Sequence, residues 1–165
     1  MKMLTACLVV NTSPLIHLAE AGLLHLLREA APTVWVPEPV ALEIRAYGRN
    51  DPTAYALTVH EWLEVQPVAV IAADILAWNL GAGESAVLAL TRAFPESMAV
   101  IDDLAGRRCA EALGLSLRGT VGLVLAAKQA GRLAAARPIL EHLRDSGMYL
   151  SDAVLKRALQ WVGEL

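Results

Sequence analysis

The sequence predicts an α/β fold: a three-layer α/β/α sandwich around a central, mostly parallel sheet. Short β-rich apolar runs recur along the chain, each closed by a turn or helix-start signal. Between them lie segments whose apolar residues fall at spacings of three and four, the period of an amphipathic helix. The resulting order is strand, helix, strand, several helices, strand, helix, strand, helices. Alternation of this kind places helices on both faces of a parallel sheet.

Thr5 to Val10 reads as a buried strand. Ser13 is the expected N-cap of the next helix and Pro14 suits its first turn. Leu15, Leu18, Ala19, Leu23, Leu26 and Leu27 carry the helical period, with Gly22 as a break. Thr33 to Val36 is a second strand, closed by Pro37. A helix from about Pro39 to Tyr47 follows, with Val40, Ile44 and Tyr47 on one side and Glu43 off that stripe. Gly48 to Pro52 is a loop, and Ala54 to Trp62 a helix. Val65 to Ile71 is an edge strand, because Pro67 has no N–H for an inner ladder. Ala72 to Leu80 is a short helix, Gly81-Ala82-Gly83 a turn, and Glu84 to Phe94 a strongly amphipathic helix. Met98 to Ile101 is the next strand, Leu104 to Leu113 the next helix, and Leu115 to Leu117 a last short strand. Gly119 opens a helix to about Ala130, stopped by Gly131. Helices over Ala135–Arg144 and from an N-cap at Ser151 to Val162 complete the chain. No internal repeat, low-complexity tract or linker interrupts this pattern, so residues 1–165 read as one domain.

Composition narrows the classes of function. At 165 residues the chain is long enough to bury a full core. Hydrophobic residues make up 56% and mean hydropathy is +0.46, yet Glu64 and Asp74 interrupt the most apolar stretch. No uncharged run approaches membrane-spanning length, so no membrane association is expected. The excess apolar surface points to an oligomeric or partner interface, with the helices from Ala54 to Leu80 as the candidate. Met1-Lys2-Met3-Leu4 runs straight into a β-like segment and lacks the long apolar run and small-residue cleavage site of a signal peptide; a cytoplasmic location is the expectation. Cys7 and Cys109 read as two buried free thiols. A net charge of −3 argues against a generic basic nucleic-acid binder. It does not exclude a nuclease, whose bound cations offset an acidic pocket.

In a parallel sheet, Leu8-Val9-Val10 and Met98-Ala99-Val100-Ile101 end at the same carboxyl edge, where such folds place their ligands. The first is followed by Asn11-Thr12-Ser13-Pro14, the second by Asp102-Asp103. One aspartate suffices to cap the helix at Leu104, and the second has no structural task visible in the sequence. Glu84 follows the Gly81–Gly83 turn, in a first helical turn that favours acids. Glu43 and Glu84 each lie near a predicted helix start, on the side where strands end. Two carboxylates about 4 Å apart repel by roughly 4 kcal/mol at an effective dielectric of 20, so a cluster of them calls for a cation. Mg²⁺ or Mn²⁺ suits oxygen donors, and His17, His25, His60 and His142 show no ligand spacing. A metal held this way can activate water and stabilise a phosphate transition state.

Five segments carry a further signal: VVNTSPLIHLAEAGLLHLL, VPEPVALEI, LGAGESAVLAL, VIDDLAGRRCAEALGL and GTVGLVLAAKQAG. In this order the chain resembles a PIN domain over nearly its full length, a fold with a Rossmann-like sheet. The likeness is to the compact prokaryotic PIN proteins related to VapC-type toxin ribonucleases. It implies a metal-dependent single-stranded RNA endonuclease using Mg²⁺ or Mn²⁺, toxin-like, partnered by a small antitoxin protein and forming a homodimer or higher oligomer. It implies Glu43, Glu84, and Asp102 or Asp103 as catalytic acids and metal ligands. It also implies aspartate after strand one, where this chain has Asn11. An amide oxygen still ligates a divalent ion but brings no charge, so a catalytically impaired PIN-fold binding module is the alternative. Thr12 and Ser13 match hydroxyl residues beside that position; they hydrogen-bond a ligand or water, or cap the helix. Arg107 and Arg108, one turn past Asp103, either contact an RNA phosphate or, for Arg107, pair with Asp103 at i,i+4. Trp35, Trp62, Trp78 and Trp161 read as core or interface, with Trp78 the one to test for base stacking. A phosphatase using a covalent aspartate needs an acid after strand one, which Asn11 does not supply.

Overall fold

A computed structural model describes residues 5–165. The amino-terminal segment 1–4, expected to run into a β-like segment, lies outside the described residues. Five parallel strands form one sheet in the order β3-β2-β1-β4-β5: β1 (Cys7–Val10), β2 (Thr33–Pro37), β3 (Leu63–Gln66), β4 (Ser97–Val100) and β5 (Leu117–Arg118). Helices cover the sheet in the three-layer arrangement. One group packs α1 (Thr12–Glu20), α3 (Glu38–Arg45), α4 (Pro52–Val59) and α6 (Ala82–Ala93) against each other, with α5 (Ala73–Leu76) and α7 (Leu104–Ala112) on α6. A second joins α2 (His25–Ala30), α8 (Thr120–Gln129) and α9 (Arg137–Asp145), followed by α10 (Asp152–Trp161).

The central strands are apolar because both their faces are covered. Leu8, Val9 and Val10 are at most 1% exposed, and Ala99 and Val100 are fully buried. They form the core with Leu15 and Leu18 of α1, Val40 and Ile44 of α3, Val87 and Leu88 of α6, and Leu123 and Val124 of α8. The order places β2 and β3 on one side of β1, and β4 and β5 on the other. The chain therefore reverses direction between β1 and β4, the switch point where a crevice opens beyond the strand ends. Val10 pairs with Val100, so Asn11 and Ile101 leave the sheet side by side.

Several expected boundaries move, each for a local reason. Asn11, not Ser13, occupies the N-cap position of α1, and no side chain caps that helix. Thr12 is its first residue, and Pro14, whose missing N–H is harmless in a first turn, follows inside it. Asp51, read as loop, caps α4 by accepting from the N–H groups of Thr53 and Ala54, both at 3.0 Å. β3 precedes Pro67 instead of containing it, and is an edge strand. α5 stops at Leu76; Asn79 beyond it has φ of 52°. Gly83 and Glu84 sit within the first turn of α6 rather than after a free turn. β5 lies at Leu117–Arg118, not Leu115–Leu117, and α9 starts at Arg137 ahead of Pro138.

Both cysteines are free and buried. Burial, with Glu64 nearby, pushes the Cys7 thiol up to about 11, so it is no nucleophile near neutral pH. Trp35 packs edge-on against Phe94 at 4.7 Å and donates to Glu64 at 3.1 Å, whereas Trp78 and Trp161 are 40% and 61% exposed. Tyr55, Val59, Leu76 and Trp78 leave apolar surface exposed along the segment expected as an interface. Among the described residues no helix is long and apolar enough to cross a membrane.

Candidate active site

The residues expected to act lie along the carboxyl edge of the sheet, around the switch point. Asn11 leaves β1 there, 2% exposed, its N–H donating to Val100 O at 3.1 Å. Its side-chain Oδ1 is buried and has no hydrogen-bond partner. α3 returns along the face so that Val40, Ala41 and Ile44 are buried and Glu43, next to Ile44, emerges at the edge. Thr12, itself buried, donates its hydroxyl to Glu43 Oε2 at 2.8 Å. These groups meet α6 at Gly83. A Cβ at that position would stand 3.2 Å from Asn11 Oδ1 and 3.3 Å from Glu43 Oε2. The missing side chain is what lets α6 approach so closely.

Glu84 follows in the first turn of α6, half-buried, with its carboxylate folded back over Gly81. The partial positive charge of the helix N-terminus favours that pose. Its Cγ and Asp103 Oδ2 both border Gly106 of α7. Asp103 caps α7, accepting from Gly106 N–H at 2.9 Å. Asp102, half-buried, reaches across to α8, accepting from the Thr120 N–H and hydroxyl, each at 2.7 Å. Both aspartates thus have a structural task, which overturns the argument that the second had none: each caps a different helix. Arg107 does not pair with Asp103. It donates to Ile101 O at 3.1 Å, and its guanidinium shares the border of Gly119 with Asp102. Ser13, in the first turn of α1, is exposed at the same edge; Arg108 is exposed on α7 and touches none of these groups; and neither Thr12 nor Ser13 caps α1.

Two wings result. Asn11, Thr12 and Glu43 form one; Glu84, Asp102, Asp103 and Arg107 form the other; residues 83 and 84 of α6 join them. Four helices, α1, α6, α7 and α8, begin at this edge and turn their N-termini toward it, which offsets the concentration of acids. The residue that sequence reasoning missed is Thr120. Its signal was the Gly119-Thr120 pair directly after the last strand, where a helix must start at the same edge.

The donors suit a hard cation in kind: carboxylate oxygens and an orphaned amide oxygen. Their spacing is looser. Among the described residues no three Asp, Glu, His or Cys side chains are grouped closely enough to hold a metal ion. The fit lies in the Asn11–Glu43 wing, where a buried oxygen lacks a partner. Asp102 already has both oxygens engaged.

A family model for a PIN domain, DUF3368, matches residues 7–164. No curated protein matches the chain.

Proposed function

Because the chain belongs to the PIN-domain family, whose members are generally nucleases working with divalent metal ions, we propose that it is a Mg²⁺- or Mn²⁺-dependent endonuclease of single-stranded RNA. The observation that carries this reading is the shared edge: Asn11, Glu43, Glu84, Asp102 and Asp103 come from separate segments and all lie around one switch point. Glu43 and Asn11 would hold the ion, with Glu84 and Asp103 as the further acids at the same edge and Asp102 kept to its hydrogen bonds with Thr120. When bound, it supplies charge stabilisation to a phosphoryl group under attack by water.

The other roles belong to the chain itself. Thr12 holds Glu43 by its hydrogen bond, so that one carboxylate oxygen is oriented and the other is left for a ligand. Asp103 and Asp102 tie α7 and α8 to the edge, and Ile101 O holds Arg107 there. Arg107 and Arg108 offer guanidinium groups to an RNA phosphate, and Ser13 an exposed hydroxyl. A toxin-like role with a small antitoxin protein, and self-association through the exposed apolar residues between Tyr55 and Trp78, extend this reading to the partners that the resemblance to compact prokaryotic PIN proteins implies.

The test is cleavage of a single-stranded RNA in Mn²⁺. Glu43→Gln and Glu84→Gln are expected to abolish it while melting like the parent protein. No cleavage by the parent protein, or cleavage by the variants at the parent's rate, removes the assignment. A second reading, a binding module without catalysis, is favoured by the uncharged Asn11 and the absence of a three-acid group among the described residues. Calorimetric titration with Mn²⁺ separates the two: the binding module takes up no ion at this edge.

A further inference from the structure

A groove of about 780 Å³ lies between α2, α8 and α10 and shares no residue with the candidate active site. Its floor is aliphatic: Leu26, Met98, Leu123 and Ala127 line it. On α10, Val154, Arg157, Ala158 and Trp161 line one wall. They fall at i, i+3, i+4 and i+7, a single helix face. Val154 is 40% and Trp161 61% exposed, while Ala158 between them is buried at 7%, so the two larger apolar side chains of this face stand open to the groove. On the opposite wall Gly122, Leu125, Ala126 and Gln129 follow at i, i+3, i+4 and i+7 of α8, so small residues alternate there with one aliphatic and one amide side chain.

Charge narrows the occupant. Arg118, Arg132 and Arg157 line the groove, and among the described residues no carboxylate does. None of the three makes an ion pair or side-chain hydrogen bond among the described residues. The chain has 17 acidic against 14 basic residues, so three unpaired guanidinium groups at one apolar groove run against its overall balance. Arg118 is placed there by Gly122: a Cβ on residue 122 would stand 2.7 Å from Arg118 Cγ, so the glycine gives its stem a path over the first turn of α8. A single-stranded nucleic acid would need a series of aromatic platforms. The groove offers one, Trp161, over an aliphatic floor.

We propose that this groove docks an amphipathic helix of a partner protein, with an apolar stripe toward α8 and α10 and glutamates or aspartates on its flanks against Arg118, Arg132 and Arg157. Its mode is helix-in-groove recognition, in which apolar residues at i, i+3, i+4 and i+7 supply the contact and charge sets the orientation. The proposal does not rest on the nuclease reading, since the groove shares no residue with the candidate active site.

The probe is a fluorescein-labelled synthetic peptide of about four helical turns, ~15 residues, with leucines at the stripe positions and glutamates on the flanks. Controls are a scrambled sequence and a version with lysines for the glutamates. Fluorescence anisotropy without RNA or metal is expected to show saturable binding of the glutamate peptide only, with a shift in Trp161 emission. Ala126→Leu, which fills the groove, should weaken binding by about tenfold or more. Arg157→Glu changes an exposed side chain and keeps the test valid if the first variant does not fold; it should reverse the preference toward the lysine peptide. Equal binding of the scrambled peptide, or binding unaffected by both variants, overturns the proposal. Tighter, Arg157-dependent binding of a single-stranded RNA overturns it in favour of a nucleic-acid surface. Self-association seen by sedimentation and lost in Ala126→Leu overturns it in favour of a second copy of this chain.

Discussion

Replacing Asn11 by aspartate is the perturbation that probes the candidate site most directly. The two residues are nearly isosteric, so the change is one of charge. Asn11 is 2% exposed, its Oδ1 has no partner, and Glu43 Oε2 borders the same point at Gly83. Two carboxylates ~4–6 Å apart at an effective dielectric of about 20 repel by roughly 3–4 kcal/mol. The N-terminus of α1, at which residue 11 sits, returns about 0.3–1 kcal/mol to an added negative charge. The metal-free variant should therefore be less stable by about 2–3 kcal/mol, lowering Tm by roughly 5–10 °C for a chain of this size. A divalent ion reverses the sign, because it binds the folded state and neutralises the pair. At a hundredfold excess over Kd that linkage is worth about 2.7 kcal/mol. The assay is thermal denaturation in EDTA and in Mn²⁺, for the parent and Asn11→Asp, with calorimetry of Mn²⁺ binding. A lower Tm in EDTA that Mn²⁺ restores, and a larger Mn²⁺ response than the parent's, are expected. Identical melting in EDTA with no Mn²⁺ effect would show that residues 11 and 43 do not share a site.

Further outcomes follow from the contacts at the edge and at the chain's end. Gly83→Ala should reduce cleavage and Mn²⁺ binding by crowding Asn11 Oδ1 and Glu43 Oε2, although alanine in a helix is ordinarily favoured by up to about 1 kcal/mol; unchanged Mn²⁺ affinity by calorimetry would contradict the geometry. Asp102→Ala removes both hydrogen bonds from Thr120 and should lower stability by about 2–4 kcal/mol in urea titrations, with Thr120→Val showing part of that loss. Glu164 accepts from the N–H groups of Ala136 at 2.6 Å and Arg137 at 3.0 Å, and these hydrogen bonds hold its carboxyl below the usual range. The lowered folded-state value means that Glu164 contributes stability above its unfolded value near ~4.3, lost as pH falls through the folded one. Glu164→Gln should thus melt below the parent near neutral pH, with the gap closing in acid; a gap independent of pH would refute that account.

The alternation of apolar runs and amphipathic segments was enough to read the layers and the parallel sheet, because burial on one stripe or both faces is written in local spacing. It was also enough to place Asn11 and Asp102-Asp103 at one edge, since each directly follows a strand. Boundaries were read less well where local signals compete: Pro14 pointed to Ser13 as the cap, and Asp51-Pro52 was read as loop although aspartate before proline starts a helix. Pro67 marks an edge strand from sequence alone, yet the strand ends before it, where its missing N–H does no harm.

The chain's own order of residues determined which chemistry is present at the edge: acids, an amide and two neighbouring arginines, without thiol or imidazole ligands. Only the tertiary structure decided what those groups do to one another. Thr12 donates to a carboxylate 31 residues away and Thr120 engages one 18 residues away, contacts that no local period encodes. The same holds for the arginine-lined groove, whose walls come from helices separated along the chain. Packing brings such groups within hydrogen-bonding or van der Waals range only after the core has fixed where each helix begins, and interactions of that range fall away within a few ångströms.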